Sequence, residues 1–127
     1  MPNTVLVVDD HRGVRKLVRH LLEPFGLTVR EAASGREAVE EYERHGGSIG
    51  VVVSDFSMPG MNGLETLAAL RKMNPHVRAF LFTAEGDLSA NTALPAAERV
   101  FRKPDELGEL VEAVTTAALT ADGPRPR

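Results

Sequence analysis

Several features that would assign this chain to a class of protein are absent from it. There is no cysteine, which excludes disulfide bonds and thiolate metal sites. No apolar run is long enough to span a bilayer, and no charged-then-apolar leader precedes the first apolar segment, so we expect a cytoplasmic protein with no membrane insertion. A formal net charge of −3 gives no overall attraction to nucleic acid, and we expect no direct nucleic-acid partner.

What remains is the composition of one globular domain. The chain has 127 residues, of which 43% are hydrophobic, and this length is sufficient to bury a sizeable core. The last residues are biased toward proline and arginine and cannot pack against a core. We therefore predict a single domain over 1–120 and a disordered tail over 121–127.

Apolar segments and helical patterns alternate along the chain. Strands are predicted at Thr4–Val8, 27–32, Ile49–Ser54, 77–83 and Arg99–Arg102, the second of them at a sheet edge. Three-and-four apolar spacing predicts helices over 14–22, 34–45, 62–74, 87–98 and from 105 onward. This alternation favours an α/β fold with a doubly wound parallel sheet of five strands.

Some details of the helices can also be predicted. Leu17 and Met73 follow the apolar stripes of the first and third helices and are expected to face the core. Ser34 and Asn62 are each followed three residues later by glutamate, the pattern of a capping box. Pro95 interrupts the helix over 87–98, so that helix is expected to be short or irregular.

Five residues that can do chemistry follow or end predicted strands: Asp9, Asp10, Asp55, Thr83 and Lys103. The carboxyl ends of parallel strands meet at one edge of a sheet, where ligands bind, so these side chains should share a pocket. A simple turn aspartate remains the alternative for Asp55. Three carboxylates brought together repel one another, and a divalent cation relieves that repulsion.

The chemistry of this predicted pocket can be narrowed further. Hard oxygen ligands, with no histidine or cysteine expected among them, favour Mg²⁺. The Lys103 ammonium and the Thr83 hydroxyl suit phosphoryl oxygens. These groups are the components of phosphoryl transfer onto a carboxylate, in which Asp55 is the nucleophile.

Four motifs together resemble one known family. They are Asp9-Asp10, the loop Asp55-Phe-Ser-Met-Pro-Gly-Met-Asn-Gly63, Phe82-Thr83-Ala84, and Lys103-Pro104. Their order and spacing resemble the receiver domain of two-component response regulators, over residues 4–120. The resemblance implies a flavodoxin-like, CheY-like (βα)5 fold. Because no output module is evident, we expect a single-domain regulator, although a receiver excised from a longer chain is the alternative.

The resemblance implies a function and a set of ligands. Asp55 would accept a phosphoryl group from a phosphohistidine on a sensor histidine kinase or a histidine phosphotransfer protein. Mg²⁺ would be bound by Asp10, Asp55 and the backbone carbonyl of Ser57, and by Asp9 through water. Such a protein is a phosphoacceptor regulator that assists its own phosphorylation and dephosphorylation, and it is not classed as an enzyme.

The resemblance also assigns a switch. Lys103 would pair with a phosphoryl oxygen, and the Lys103–Pro104 bond would be cis. Thr83 would close on another phosphoryl oxygen, and Phe101 would swing inward as Thr83 moves, which would change the binding of a downstream protein target. A plain core phenylalanine is the alternative for Phe101. Ser57 and Glu85 are expected to set the rate of dephosphorylation.

Two other functions and one docking surface are left open. A pseudo-receiver scaffold would bind partners without phosphorylation. A phosphohydrolase with an aspartyl nucleophile would need a second aspartate two residues later, where this chain has Ser57. The first helix also carries basic residues away from its apolar stripe, and these are expected to form a solvated face or to dock an acidic kinase surface: Arg12, Arg15, Lys16, Arg19 and His20.

Overall fold

A parallel sheet of five strands forms the centre of the molecule. The structure, a computed structural model, describes residues 3–84 and 96–121. The strands are β1 (Thr4–Val8), β2 (Thr28–Ala32), β3 (Ile49–Ser54), β4 (Arg78–Thr83) and β5 (Arg99–Arg102). They lie in the order β2-β1-β3-β4-β5, and every neighbouring pair is parallel. The predicted doubly wound fold is thus confirmed, as is the position of the second strand at an edge.

Helices cover both faces of the sheet. Those in the described residues are α1 (Arg12–Leu22), α2 (Gly35–His45), α3 (Gly63–Met73) and α4 (Leu107–Ala121), with a short 3₁₀ helix at Glu23–Phe25. Apolar residues of α2 and α3 pack on one face, and those of α1 and α4 pack on the other. Among the described helices, none has the length and apolar character needed to cross a bilayer.

β1 and β3 are buried along their entire length, which explains why their sequences are continuous apolar runs. Each is flanked by strands on both sides and by helices above and below. β2 lies at the edge, and only Val29 and Ala32 of its five residues are buried. The strands that carry the acidic motifs are therefore the most rigidly enclosed part of the sheet.

Some predicted boundaries and orientations are wrong. The second and fourth strands begin at Thr28 and Arg78, one residue later than predicted. Leu17 and Met73 are 46% and 42% exposed, because the residues that face the core on α1 and α3 form narrower stripes centred on Val18 and Leu67.

The segment before β5 also differs from the prediction. Residues 96–98 are not helical, and the Glu98 N–H donates to the carbonyl of Ala79 at 2.8 Å, so this segment already runs beside β4. The rest of the helix predicted over 87–98, including Pro95, lies outside the described residues. The predicted tail over 121–127 begins one residue too early, because Ala121 is the last residue of α4; residues 122–127 lie outside the described residues.

The two predicted helix caps are present, one of them with a shifted partner. At α3 the capping box is complete, with Asn62 and Glu65 exchanging hydrogen bonds of 2.8 Å. At α2 the Glu37 N–H donates to Ser34 Oγ at 3.1 Å, whereas the Glu37 carboxylate accepts from the N–H of Ala33. The Lys103–Pro104 bond is cis, as the resemblance implies.

Gly63 fixes how the loop after β3 returns to the sheet. A Cβ at this position would lie 2.2 Å from the carbonyl oxygen of Asp55 and 2.9 Å from Cα of Phe56. Its own N–H donates to the Phe56 carbonyl at 2.8 Å. Since these contacts are with backbone atoms, which cannot move aside as a flexible side chain can, only glycine fits without displacing the loop.

We predict that Gly63→Ala destabilises the fold by about 1–3 kcal/mol through this overpacking. Urea denaturation measures the free energy of unfolding. The matched control is Gly108→Ala, because Gly108 is also in the first turn of a helix and has nothing within 4 Å of its added Cβ. That control should be neutral or stabilised by up to about 1 kcal/mol. Equal stability of the two variants would contradict the interpretation.

Candidate functional site

The site lies where the sheet hydrogen bonds extend one residue past the strands. The backbone N–H groups of Asp9, Asp55 and Lys103 donate to carbonyls of β2, β1 and β4 at 3.1, 2.9 and 3.0 Å. Each of these residues is thus held by the ladder although it lies beyond the end of its own strand. Their side chains start from rigid backbone positions at the carboxyl edge of the sheet.

Lys103 connects the acids of two strands. Its Nζ lies 2.6 Å from Asp9 Oδ2 and 3.4 Å from Asp55 Oδ2. Asp9 and Asp55 are only 2% and 5% exposed, and Thr83 is buried beside them, whereas Asp10 is exposed. The structure therefore brings the five residues predicted for the pocket to one edge of the sheet, two acids at its base and one at its rim.

The protonation of Asp55 reflects opposing influences. Burial raises the pKa of the Asp55 carboxyl above its ordinary value, and the negative charge of Asp9 raises it further. The positive charge of Lys103, with its hydrogen bond, and a hydrogen bond from Thr83 act in the opposite direction and only partly offset the rise. Asp55 is consequently a carboxylate whose ionised form is costly, which favours any ligand that supplies positive charge.

A histidine also belongs to the cluster, contrary to the expectation of an all-oxygen site. Donor atoms of Asp9, Asp10, His11 and Asp55 all lie within 4.8 Å of one another. The expectation was wrong because it considered only residues directly at strand ends. His11 follows the acid pair and occupies the position immediately before α1, so its adjacency to Asp10 was the signal available in the sequence.

A cleft of about 480 Å³ opens onto Asp55. Ser57 is exposed at this cleft. The lining side chains come from the segment after β1 with the first turn of α1, from the loop after β3, from the end of β4 with the next residue, and from the residue after β5: His11, Val14, Asp55, Ser57, Thr83, Ala84 and Lys103. A small anionic group can therefore reach Asp55 from solvent. Glu85, the other residue expected to set the dephosphorylation rate, lies outside the described residues.

Phe101 and Thr83 lie on opposite faces of the sheet, although Phe101 was expected to move together with Thr83. It is 1% exposed, pairs with Phe82 in the β4–β5 register, and has its ring centroid 6.1 Å from that of Phe80. All three rings pack in the layer beneath α1 and α4. Strand alternation directs the Thr83 side chain to the opposite face, and the switch role of Phe101 stays a prediction.

The basic side of α1 is largely used inside the molecule. Glu31 on β2 accepts from Arg15 Nε at 3.1 Å and Lys16 Nζ at 3.0 Å, and also from Arg19. Although burial alone would raise the pKa of Glu31, these three hydrogen bonds lower it below its ordinary value. These three cations are thus already paired within the protein, whereas the sequence suggested that they face a partner or solvent. Arg12 is exposed, so a substitution there tests docking without breaking the contacts to Glu31.

Arg15 has a second contact that leads into the site. Its NH1 group donates to the backbone carbonyl of Asp9 at 2.8 Å, and its side chain is only 14% exposed. Arg15 thus connects β2 to the loop that carries the acid pair. Replacing it would disturb the candidate site as well as any docking surface.

The family model described as "Response regulator receiver domain" matches residues 5–115 of this chain. The chain belongs to that family. The chemotaxis protein CheY of Thermotoga maritima is 32% identical to this receiver domain over 117 residues, which are 90% of this chain and 96% of CheY. The structure of the response regulator protein TrrA from T. maritima in complex with Mg²⁺–BeF superposes with a TM-score of 0.76, at 30% identity, and the match covers 88% of this chain and 98% of TrrA.

The receiver domain is also similar to parts of much longer proteins. The sensor kinase CckA of Brucella abortus is 40% identical over 114 residues, which are 87% of this chain but 12% of CckA. The chain thus spans only a small part of that relative, and it spans 39% of the transcriptional activator ExaE of Pseudomonas putida. Receiver domains of this kind therefore occur in proteins with different outputs.

The donor set of the receiver domain fits a divalent cation. Asp9, Asp10 and Asp55 contribute carboxylates within 4.8 Å of one another. In the described part of the chain, the ion-pair contacts of these carboxylates are with the Lys103 ammonium and the His11 ring only. One ammonium does not balance three carboxylates, so the cluster retains negative charge. Carboxylate oxygens are also the ligands that Mg²⁺ prefers.

We predict that Asp55→Asn stabilises the metal-free receiver domain at neutral pH. The pKa of Asp55 is higher in the folded than in the unfolded state, so its ionisation disfavours folding. This penalty is fully present above the folded-state pKa and disappears as the pH falls below the ordinary value of 3.8. Thermal unfolding in EDTA should show a Tm higher by a few degrees at pH 7 and no difference in strong acid.

Asp105→Asn is the control for that measurement, because Asp105 is exposed and lies outside the cluster. Its Tm should stay at the wild-type value. An Asp55→Asn variant less stable than the wild type at neutral pH would mean that Lys103 and Thr83 outweigh burial and repulsion at this site.

Proposed function

We propose that this receiver domain is a phosphoacceptor of two-component signalling, in which Asp55 accepts a phosphoryl group from a phosphohistidine. The donor would be a sensor histidine kinase or a histidine phosphotransfer protein. One observation carries the proposal: Asp55 is buried at the base of an open cleft with the Lys103 ammonium 3.4 Å from its carboxylate. A carboxylate held in this way can act as a nucleophile toward an anionic phosphoryl group only because a cation lies beside it.

The transfer is a simple displacement at phosphorus. A carboxylate oxygen of Asp55 forms the new P–O bond while the P–N bond of the phosphohistidine breaks, and the imidazole leaves with the electron pair and takes a proton. With acetyl phosphate as donor, a P–O bond breaks instead and acetate leaves. The product in either case is an acyl phosphate on Asp55. Positioning and charge neutralisation account for most of the rate in such reactions.

Asp10 and Asp55, with the backbone carbonyl of Ser57, would hold Mg²⁺, and Asp9 would contact it through water. When bound, Mg²⁺ would neutralise charge that develops on the phosphoryl oxygens. The close pairing of Asp9 with Lys103 at 2.6 Å agrees with a less direct role for Asp9 at the metal. The TrrA structure, solved with Mg²⁺–BeF, supports the assignment for a similar fold.

Lys103 and Thr83 would respond to the new charge. The phosphoryl dianion competes with Asp9 for the Lys103 ammonium, and the Thr83 hydroxyl, which already bonds Asp55, can turn to a phosphoryl oxygen. Reversing a 1:99 population of two conformers needs about 5.5 kcal/mol of differential stabilisation. Charge-assisted hydrogen bonds contribute about 1.5–3 kcal/mol each, so about two to four of them are sufficient.

The output would be a change in protein binding. Relatives that contain this domain include a sensor kinase and a transcriptional activator, so the downstream target differs between family members. We propose a downstream protein partner for this chain, a cytoplasmic location, and a conformational change centred on Thr83. Phe101 would take part only through the core beneath α1 and α4, since it does not share a face with Thr83.

Two alternative functions fit the site less well. A pseudo-receiver scaffold has no need for two buried acids paired with one lysine, an arrangement that costs desolvation energy. An aspartyl-nucleophile phosphohydrolase would need a general acid two residues after Asp55. Ser57 occupies that position and has no acidic proton to give.

The first test is phosphorylation with acetyl phosphate and Mg²⁺, followed by intact-mass spectrometry. We expect one phosphoryl group to be added to the wild type and none to Asp55→Asn, while Asp105→Asn, the exposed control, is modified as the wild type is. No modification of the wild type would favour the scaffold. Rapid turnover of external phosphomonoesters by the wild type would favour the hydrolase.

The second test addresses the lifetime of the phosphoryl group. Ser57 is exposed at the cleft beside Asp55, where its side chain can orient or exclude the attacking water. We expect Ser57→Asn, and likewise Glu85→Gln, to change the dephosphorylation half-life by more than about threefold. Ser48→Ala, at an exposed turn before β3, is the control and should keep the wild-type half-life. Unchanged rates in the Ser57 and Glu85 variants would rule out this role.

A further inference from the structure

The imidazole of His11 lies against the acid pair. Its Nδ1 is 3.3 Å from Asp9 Oδ1 and 3.3 Å from Asp10 Oδ1. The side chain is 70% exposed, so the ring is reached from solvent while its nitrogen contacts both carboxylates. His11 therefore lies at the rim of the cleft and Asp55 at its base.

The backbone fixes the point from which this ring starts. The His11 N–H donates to Asp9 Oδ1 at 2.9 Å, and His11 is the residue immediately before α1, which begins at Arg12. The Asp9 carbonyl, in turn, accepts from Arg15. The backbone on both sides of His11 is therefore held, so the ring starts from a fixed position next to the acids.

The separation of the donor atoms suits a single ion. One nitrogen and three carboxylate groups offer ligand atoms that are all within 4.8 Å of one another. Ligands bound to one first-row ion at about 2.0–2.2 Å lie roughly 3–4 Å apart, so only a small contraction of the cluster is needed. The side chains that provide this set come from two neighbouring strands, β1 and β3, through the residues that follow them.

We propose that His11 is a nitrogen ligand of the metal site, and that the site consequently prefers a first-row transition ion such as Mn²⁺ or Zn²⁺ to Mg²⁺. The inference rests on the proposed function, since it concerns the same metal site. It goes beyond it in naming an additional ligand and a different class of ion. Imidazole is a common ligand of Zn²⁺ and other transition ions, whereas Mg²⁺ takes oxygen ligands and keeps its waters.

The rival explanation is that His11 is only a hydrogen-bond donor. With its proton on Nδ1, a neutral ring can donate to the carboxylates of Asp9 and Asp10, and it then has no lone pair at that atom for a metal. With its proton on Nε2, the same Nδ1 is free to bind an ion held by those carboxylates. The two explanations differ in whether removal of the ring nitrogen changes the choice of metal.

Calorimetric titration of the full chain with Mg²⁺, Mn²⁺ and Zn²⁺ tests the proposal. We expect the wild type to bind Zn²⁺ and Mn²⁺ more tightly than Mg²⁺, and His11→Phe to lower the ratio of Zn²⁺ to Mg²⁺ affinity by at least about tenfold. His11→Gln, which keeps a polar group, is a second variant in case phenylalanine disturbs the fold. His76→Phe is the matched control, because His76 is exposed and lies just before β4, at the amino end of the sheet.

A spectroscopic measurement locates the ion independently of any reaction. Substoichiometric Mn²⁺ should broaden the NMR signals of the His11 ring before those of His76. An unchanged Zn²⁺ to Mg²⁺ ratio in both His11 variants would overturn the proposal. An equal loss in His76→Phe would also overturn it, since the binding would then be to surface histidines.

The proposed function is judged by a separate result. If the wild type is phosphorylated on Asp55 with Mg²⁺ but shows no preference for Zn²⁺ or Mn²⁺, the role of His11 as a ligand is wrong and the phosphoacceptor function stands. If the wild type binds none of the three cations and is not phosphorylated, both are wrong.

Discussion

The ammonium of Lys103, held between two buried carboxylates, is the interaction on which the site depends. It lies 2.6 Å from Asp9 and 3.4 Å from Asp55, and it connects the end of an edge strand to the two strands at the centre of the sheet. One positive charge cannot neutralise the acids around it. The folded protein therefore carries an excess of negative charge at a fixed place, which attracts a cation, and that cation can in turn offset the negative charge of a phosphoryl group.

The rest of the structure keeps this arrangement in place. Asp9, Asp55 and Lys103 are each one residue beyond a strand, yet each is bonded to the neighbouring strand through its backbone N–H. Gly63 allows the loop after Asp55 to return against the sheet, since a larger residue would contact the backbone of Asp55 itself. Because the two layers of apolar side chains enclose β1 and β3, the acids are fixed by the core although they lie at its edge.

Charges outside the site show why surface function is difficult to assign from sequence. Arg15, Lys16 and Arg19 share the carboxylate of Glu31, which lies on β2, the strand that follows α1 in the chain. A basic side of a helix can therefore be a means of attaching that helix to its own sheet. Here it also reaches the acid pair, through the hydrogen bond from Arg15 to the Asp9 carbonyl.

Much of the fold and of the candidate site could be predicted from the sequence, because two of the apolar strands are directly followed by acidic residues. The buried runs before Asp9 and Asp55 determined the parallel sheet, and the order of Asp9, Asp55, Thr83 and Lys103 identified the family and the edge at which these residues meet. These are local patterns that strand geometry converts into positions. Such patterns can be interpreted without knowing how the side chains pack.

Only the tertiary structure determined which partners each side chain contacts and on which face of the sheet it lies. The sequence placed Phe101 in a switch with Thr83, but the β4–β5 register puts it with Phe82 on the other face. It treated the arginines of α1 as free, but β2 brings Glu31 beneath them. It left His11 out of the acid cluster, because only the turn into α1 directs that ring toward the carboxylates. Each outcome depends on the exact rotation of one element against another, and a pattern along a single chain does not contain it.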